Sequence, residues 1–290
     1  MATEGDDCAA DTITASINYV VAPSDGAPAY LKPKHIDPVT GLKGLQNYTL
    51  EAKEVAIENV RGKETEFTLD NVGFQWVIGA PSKHTSFDND VAIEEEYWPE
   101  CIQSIKALTG ASKVVINIYD HTVRRNYPVE EGGYKHGKPV AHVHGDQTPK
   151  AAAARVHRHL PASEAPGLLE RRFQIINMWR PIKHAALEWP LALCDYRSLD
   201  VEKDLFPLAL IYPKRSGETY AVRYNPNHKW RYLRGMTPAD FVLIKNSDNL
   251  QDACGTVARL SPHTAFIDPT TPVDAPPRES IELRALVFYD

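Results

Sequence analysis

The stretch Ala141-His142-Val143-His144-Gly145-Asp146-Gln147-Thr148 places two imidazoles and a carboxylate close together. On a strand, residues two apart share a face, so His144 and Asp146 can present an imidazole and a carboxylate to one point. Two histidines and one carboxylate on one triangular face of a ferrous ion leave its remaining positions open. His144-x-Asp146 is the local half of such a triad. So short a pattern arises by chance, and its meaning depends on a second histidine elsewhere in the chain.

His263, in Ala258-Arg259-Leu260-Ser261-Pro262-His263, lies 117 residues beyond Asp146. That interval is long enough for intervening strands to bring two strand ends together. His228, in Asn227-His228-Lys229-Trp230, is its rival for the distal position. Only His263 is followed at useful spacing by Arg278-Glu279-Ser280, which opens the last apolar strand. Arg278 and Ser280 share a strand face and together can grip a carboxylate, the arginine by a charge-assisted fork and the serine by a further hydrogen bond. Such a pair suits the distal carboxylate of 2-oxoglutarate. The competing reading makes Arg278 one of a charged surface series with Glu279, Glu282 and Arg284, and Arg284 remains a second candidate for the anchor. His142 and His144 together also look like a cupin metal pair, but Gln147, Thr148, Pro149 and Lys150 occupy the interval where a cupin supplies glutamate. With the triad complete, His142 is expected not to ligate.

These residues need a scaffold of many short elements. The chain has 290 residues, 43% of them apolar and 24% charged, with 22 prolines and 16 glycines spread throughout, which describes a globular, turn-rich protein. Runs rich in β-branched and aromatic residues predict strands at 66–69, 74–78, 114–119, 140–144, 172–179, 208–212, 220–224, 241–245, 257–260 and 281–289. Two helices are expected. One covers 99–108, ending at Gly110; the other covers 149–159, with Thr148 as N-cap and Pro149 at the first helical position. His157 and His159 end that helix and suit its C-terminal dipole better than a metal. Thr237-Pro238-Ala239-Asp240 can start a turn or so. The fold class is therefore mainly β (β-rich α+β), a jelly roll with flanking helices. One domain is expected, with residues 1–65 as an N-terminal extension packed on a core of 66–290.

The net charge of −6 offers no general attraction to nucleic acid or to an anionic membrane. The four cysteines, Cys8, Cys101, Cys194 and Cys254, form no C-x-x-C pair. Residues 1–16 lack the pattern of a signal peptide, no apolar run approaches the ~20 residues of a membrane span, and a cytoplasmic protein is expected. Asn177 shares strand parity with Phe173, Ile175 and Trp179, so an amide faces a barrel interior there; Trp179 and Arg180 must point to opposite sides.

The order His-x-Asp, distant His, Arg-x-Ser resembles the Fe(II)/2-oxoglutarate-dependent dioxygenases, whose fold is the double-stranded β-helix, a jelly-roll variant. More specifically, the chain resembles the fungal hydroxylase/desaturase family related to gibberellin desaturases and the cephem methoxylase accessory protein. The resemblance is carried by 69–74 (LDNVGF), 97–100 (YWPE), 119–125 (YDHTVRR), 172–181 (RFQIINMWRP), 190–195 (PLALCD) and 278–284 (RESIELR), and it runs from about residue 66 onward. It implies Fe(II) on His144, Asp146 and His263, with 2-oxoglutarate and O2 as cosubstrates. Tyr119 and Asn117 match the Asn-x-Tyr pair that touches 2-oxoglutarate in plant-type members, and Asn177, Arg278 and Ser280 are further candidates for that contact. The interval from His263 to Arg278 is longer than in plant-type members, the excess falling in the turn Asp268–Pro277.

The implied chemistry is oxidative decarboxylation of 2-oxoglutarate to succinate and CO2, coupled to hydroxylation, desaturation or oxidative cyclisation of a small natural-product intermediate. Homo-oligomerisation is open. Two other readings stand beside it: a cupin-like metalloenzyme without 2-oxoglutarate, or a catalytically silent jelly-roll partner.

Overall fold

The computed structural model describes residues 12–36, 43–117, 120–127, 137–250 and 255–290. In chain order its strands are β1 (Thr12–Val21), β2 (Ala29–Ile36), β3 (Lys43–Gln46), β4 (Thr49–Asn59), β5 (Phe74–Val77), β6 (Lys113–Val115), β7 (His121–Arg125) and β8 (His144–Gly145). Then come β9 (Phe173–Pro181), β10 (Leu191–Cys194), β11 (Leu205–Tyr212), β12 (Arg215–Val222), β13 (Trp230–Tyr232), β14 (Phe241–Asp248), β15 (His263–Ala265) and β16 (Glu279–Phe288). They form two sheets. The larger has the order β1-β4-β13-β10-β15-β8-β12-β11-β2-β3, and the smaller β5-β14-β9-β16-β6, with β7 also paired to β16. This is the expected jelly roll.

β9 is buried at every position, as befits a central strand covered on both faces. Its even residues Ile176 and Met178 pack beneath the helix α1 (Trp98–Thr109) with Cys101 and Ile105, while Phe173 and Ile175 face inward onto Leu286 and Phe288 of β16. Each such fully buried side chain contributes roughly 1.5–3 kcal/mol of transfer free energy. α1 ends where Gly110 adopts φ 71°, a left-handed cap that glycine accepts freely. The second helix, α2 (Pro149–His159), starts on Thr148, whose Oγ1 accepts from Ala151 N at 3.2 Å. It buries Ala152 and Val156 and turns Ala151, Arg155 and Arg158 the other way.

Four expected strands are not continuous ladders: that at 114–119 pairs only over Lys113–Val115, with 118–119 outside the described residues. At 66–69, Thr68 and Asn71 exchange side-chain to backbone bonds and close a turn, preceded by a 3₁₀ turn at Glu64–Glu66. Between Val140 and His144 the backbone serves two different partners, Val143 N donating to Asn18 and Val140 O accepting from Ala265, so only His144–Gly145 is strand. At 257–260, Ala258 N is spent on the carbonyl of Asp70. Thr237–Asp240 makes a single turn closed by the Asp240 carboxylate.

The four N-terminal strands have no counterpart among the expected ones. From Thr12 to Tyr19, β1 alternates buried Ile13, Ala15, Ile17 and Tyr19 with exposed or half-buried positions, a period-2 pattern present in its residues, before Val20 is buried as well. β1 and β4 pair over ten residues and hydrogen-bond through β13 into the larger sheet, while β2 and β3 extend its opposite end. Lys245, wholly buried, donates to Asp70 and Asp248, and Arg172 donates to the same two carboxylates; this network ties the 69–74 turn to β9 and β14.

Candidate metal centre

His144 and His263 stand directly opposite each other on adjacent antiparallel strands, β8 and β15, with ring centroids 4.5 Å apart. Asp146 follows β8, with Oδ1 3.5 Å from His144 Nε2. One ligand atom from each of the three lies within 4.8 Å of the others.

The hydrogen bonds orient these groups for a cation. His144 Nδ1 lies 2.9 Å from the carbonyl of His142 and His263 Nδ1 lies 3.1 Å from that of Ser261. A carbonyl can only accept, so each Nδ1 carries the proton and each Nε2 turns a lone pair to the centre, the usual arrangement behind a metal-bound histidine. Asp146 Oδ2 accepts from Asn177 Nδ2 and from Arg284 Nη2, both at 2.7 Å, which leaves Oδ1 for the centre. Asn177 and Arg284 are themselves cross-strand partners on β9 and β16. The carboxylate from the larger sheet is thus held by the smaller one. The set of donors fits a ferrous ion: two neutral imidazoles, one carboxylate and a shell that fixes all three.

Charge follows burial. Desolvation, then the neighbouring His144, push the His263 imidazole down to about 4, so it stays neutral and able to ligate. His144 is pushed down by desolvation but held above its ordinary value by Asp146. Asp146 is desolvated, yet Arg284 and then His144 hold its carboxyl well below the usual range. His142 lines the same cavity, its ring centroid 5.5 Å from that of His144, but it is not among the three converging side chains; burial pushes it down to about 3.

The cavity around the centre has a volume of about 720 Å3. Arg278 lies on its wall and is only 3% exposed. Its Nη1 donates to the carbonyl of Trp189, its guanidinium sits 5.6 Å from the Trp179 ring centroid, and its Nε has no hydrogen-bond partner among the described residues. Trp189 holds that carbonyl in place with φ 49°, a left-handed conformation costing roughly 1–2 kcal/mol in a non-glycine residue. Desolvation lowers the Arg278 pKa to about 9, as expected for a buried cation without a carboxylate partner. Ser280 is buried on the same strand face, outside the cavity lining. Trp179 faces the cavity, whereas Arg180 points away and donates to the carbonyls of Ala80 and Pro238.

The other sequence candidates lie elsewhere. His228 is engaged at both nitrogens, Nδ1 by the Tyr19 hydroxyl at 3.1 Å and Nε2 by Asp204 at 3.0 Å, behind the larger sheet. Asn117 is outside the cavity lining and Tyr119 is outside the described residues, as are Cys8 and Cys254; Cys101 and Cys194 are buried free thiols. His159 meets Arg155 at 3.4 Å and His157 is exposed. The supposed surface series on β16 is not one. Glu279 is buried and paired with Arg125, and Glu282 lines the cavity, its carboxyl raised by desolvation and then by Asp146. Residues that sequence reasoning missed include Glu282, which the even parity running from Arg278 to Arg284 would have exposed, and Leu31 and Tyr48, cavity walls supplied from the N-terminal region.

A family model described as an oxidoreductase/YMDC permease-like domain matches residues 17–288. No helix among the described residues is long and apolar enough to cross a membrane. The chain is 34% identical to the hydroxylase/desaturase efuI of Hormonema carpetanum, over 96% of each chain. It is 35% identical to the hydroxylase/desaturase CTB9 of Cercospora beticola, over 94% of this chain and 86% of that one. To the Fe(II)/2-oxoglutarate-dependent dioxygenase nvfI of Aspergillus novofumigatus it is 33% identical, over 83% and 85%. Among solved structures, the iron and alpha-ketoglutarate-dependent endoperoxidase NvfI superposes with a TM-score of 0.82 at 29% identity, covering 96% of this chain and 98% of that one.

Proposed function

This chain belongs to the hydroxylase/desaturase family of Fe(II)/2-oxoglutarate-dependent dioxygenases, and on that premise we propose that His144, Asp146 and His263 are its iron ligands and Arg278 the anchor of 2-oxoglutarate. The enzyme is an oxidoreductase that acts on a small molecule. The observation supporting the ligand assignment is the convergence of one ligand atom each from His144, Asp146 and His263 within 4.8 Å. What supports Arg278 is its unpaired, buried guanidinium on the wall of the same cavity; Arg284, the rival, is already spent on Asp146.

When bound, iron would supply a site at which O2, the oxidant, takes two electrons from 2-oxoglutarate, which leaves as succinate and CO2, and two from the C–H bond that is cleaved. The protein's share is positional. The two Nδ1 hydrogen bonds keep both imidazoles in the ligating tautomer. Asn177 and Arg284 stop Asp146 from rotating and keep Oδ2 occupied. Arg278, itself buried, neutralises a carboxylate where a charge-assisted fork is strong. Tyr119 is a further cosubstrate contact in this reading and Asn177 acts through Asp146, while Ser280, outside the cavity lining, would join them only by turning its hydroxyl toward Arg278. His142 stays neutral beside the ligands without joining them.

We further take residues 1–65 as an N-terminal extension packed on the core and 66–290 as the dioxygenase domain, a cytoplasmic enzyme without nucleic-acid or membrane partners and free to form a homo-oligomer. The test is anaerobic titration of Fe(II) and then 2-oxoglutarate. One iron per chain is expected, lost in His144→Ala and His263→Ala, with a visible absorption band on adding 2-oxoglutarate and succinate formed on admitting air. Metal binding indifferent to 2-oxoglutarate would favour the cupin-like reading instead.

A further inference from the structure

Beyond the iron centre, the cavity opens between α2 and the β11–β12 hairpin, and its walls there are of two kinds. Leu31, Tyr48, Leu208 and Leu210 supply an apolar floor. Lys150 and Arg158 on α2, and Arg215 on β12, supply cations from both sides of the opening. Among the described residues lining the whole cavity there are seven arginine and lysine side chains against three carboxylates, in a chain whose net charge is −6. The excess is local to this site.

The inner charges are accounted for. Arg284 pairs with Asp146, Arg155 with Asp120, Arg124 donates to the carbonyl of Lys138 at 3.0 Å, and Arg278 faces the position assigned to 2-oxoglutarate. The outer ones are not. Arg158 and Lys150 have no ion pair or hydrogen bond among the described residues, and Arg215 only rests on the Tyr212 ring, 4.6 Å from its centroid. The single carboxylate on that side, Glu218, accepts from Thr148 at 2.5 Å. Charges of one sign around a low-dielectric cleft focus their field on its mouth.

We propose that the substrate of this oxygenase carries a carboxylate, held at the opening by Arg158, Arg215 and Lys150 while its apolar body lies along Leu31, Leu208 and Leu210 toward the iron centre. A phosphate is less well served. The first turn of α2 is capped by Thr148, and the rim cations are spread over two elements rather than joined to a nest of backbone N–H groups. The proposal rests on the reading of this cavity as the oxygenase site and adds to it the class of substrate.

The experiment uses protein loaded anaerobically with Fe(II) and 2-oxoglutarate, and measures by calorimetry the affinity of paired probes: 4-phenylbutyric acid, 1-naphthylacetic acid and abietic acid, each against its methyl ester. At about 20 mM salt, at least one acid is expected to bind about tenfold or more tightly than its ester, and the gap should narrow at about 0.5 M salt. The double variant Arg158→Ala/Arg215→Ala should bring that ratio to about threefold or less, with iron content and 2-oxoglutarate affinity within about twofold of the parent. If no acid outbinds its ester, or if the double variant keeps the full preference, the proposal fails. A 2-oxoglutarate titration of the same samples separates this failure from the deeper one. Loss of the Fe(II)/2-oxoglutarate band in the parent protein would remove the oxygenase-site reading and the substrate proposal with it, whereas an intact band with indifferent probes removes only the substrate class.

Discussion

Arg284 on β16 reaches across the barrel to Asp146, its Nη2 2.7 Å from Oδ2, while its backbone partner Asn177 donates to the same oxygen. The carboxylate is therefore fixed by two donors on a different sheet from the one that carries it. Removing either donor frees Asp146 to rotate and leaves its partner short of a hydrogen bond. Arg284→Met and Asn177→Leu are each expected to weaken metal binding about 10–100-fold. Competitive Co(II) titration against a chromophoric chelator reads this, and unchanged affinity in both variants would show that the shell does not matter.

Arg278 behaves differently in the proposed arrangement. Arg278→Leu should leave iron stoichiometry intact and weaken 2-oxoglutarate binding by on the order of 3–5 kcal/mol, the cost of an unpaired charge in a desolvated site. That is about a hundredfold or more in Kd. Ser280→Ala should cost less, about 1–3 kcal/mol. The anaerobic titration of 2-oxoglutarate tests this, because a normal Kd in Arg278→Leu would remove Arg278 as the anchor; Arg284 would take its place only if Arg284→Met lost 2-oxoglutarate binding at Fe(II) concentrations that keep it fully loaded with iron.

His142 couples the site to pH. Its folded pKa is pushed down to about 3 by burial and then by His144, whereas in the unfolded chain it titrates near about 6.5. As pH falls through that window the unfolded chain takes up a proton that the fold refuses, so stability is lost on acidification and fully present above it. His142→Leu should lose less stability between about pH 7 and pH 5 than the parent while still binding one iron. Unfolding midpoints at the two pH values and an iron assay check both parts, and loss of iron would make His142 a ligand.

Gly73 adopts φ 89°, and a Cβ built there would come 2.6 Å from the carbonyl oxygen of Leu260. Its own carbonyl accepts from Lys245, so the turn cannot simply move away. Gly73→Ala is expected to cost about 2 kcal/mol or more, seen as a lower urea midpoint. Because the clash falls on Leu260–Ser261, and Ser261 O receives His263 Nδ1, metal affinity should fall as well.

The residues alone carried the local chemistry. His144 and Asp146 two apart, the Thr148–Pro149 start of α2, the capping Gly110 and the density of short β-rich runs were all readable, because side-chain parity, capping and turn chemistry depend on neighbours a few positions away. The first N-terminal strand is written in its residues too, in the alternation of Ile13, Ala15, Ile17 and Tyr19. What lay beyond local pattern was decided by which strands pair. His263 rather than His228 stands beside His144 because β15 is the neighbour of β8, while the Asp204 and Tyr19 side chains consume both nitrogens of His228. Arg284 belongs to Asp146, Glu282 faces the cavity, and Leu31 and Tyr48 wall it, all because distant strands were brought together by hydrogen bonds across two sheets. The runs at 66–69 and 257–260 were lost as strands for the same reason, since their backbone groups were claimed by turns and loops that no local propensity reveals.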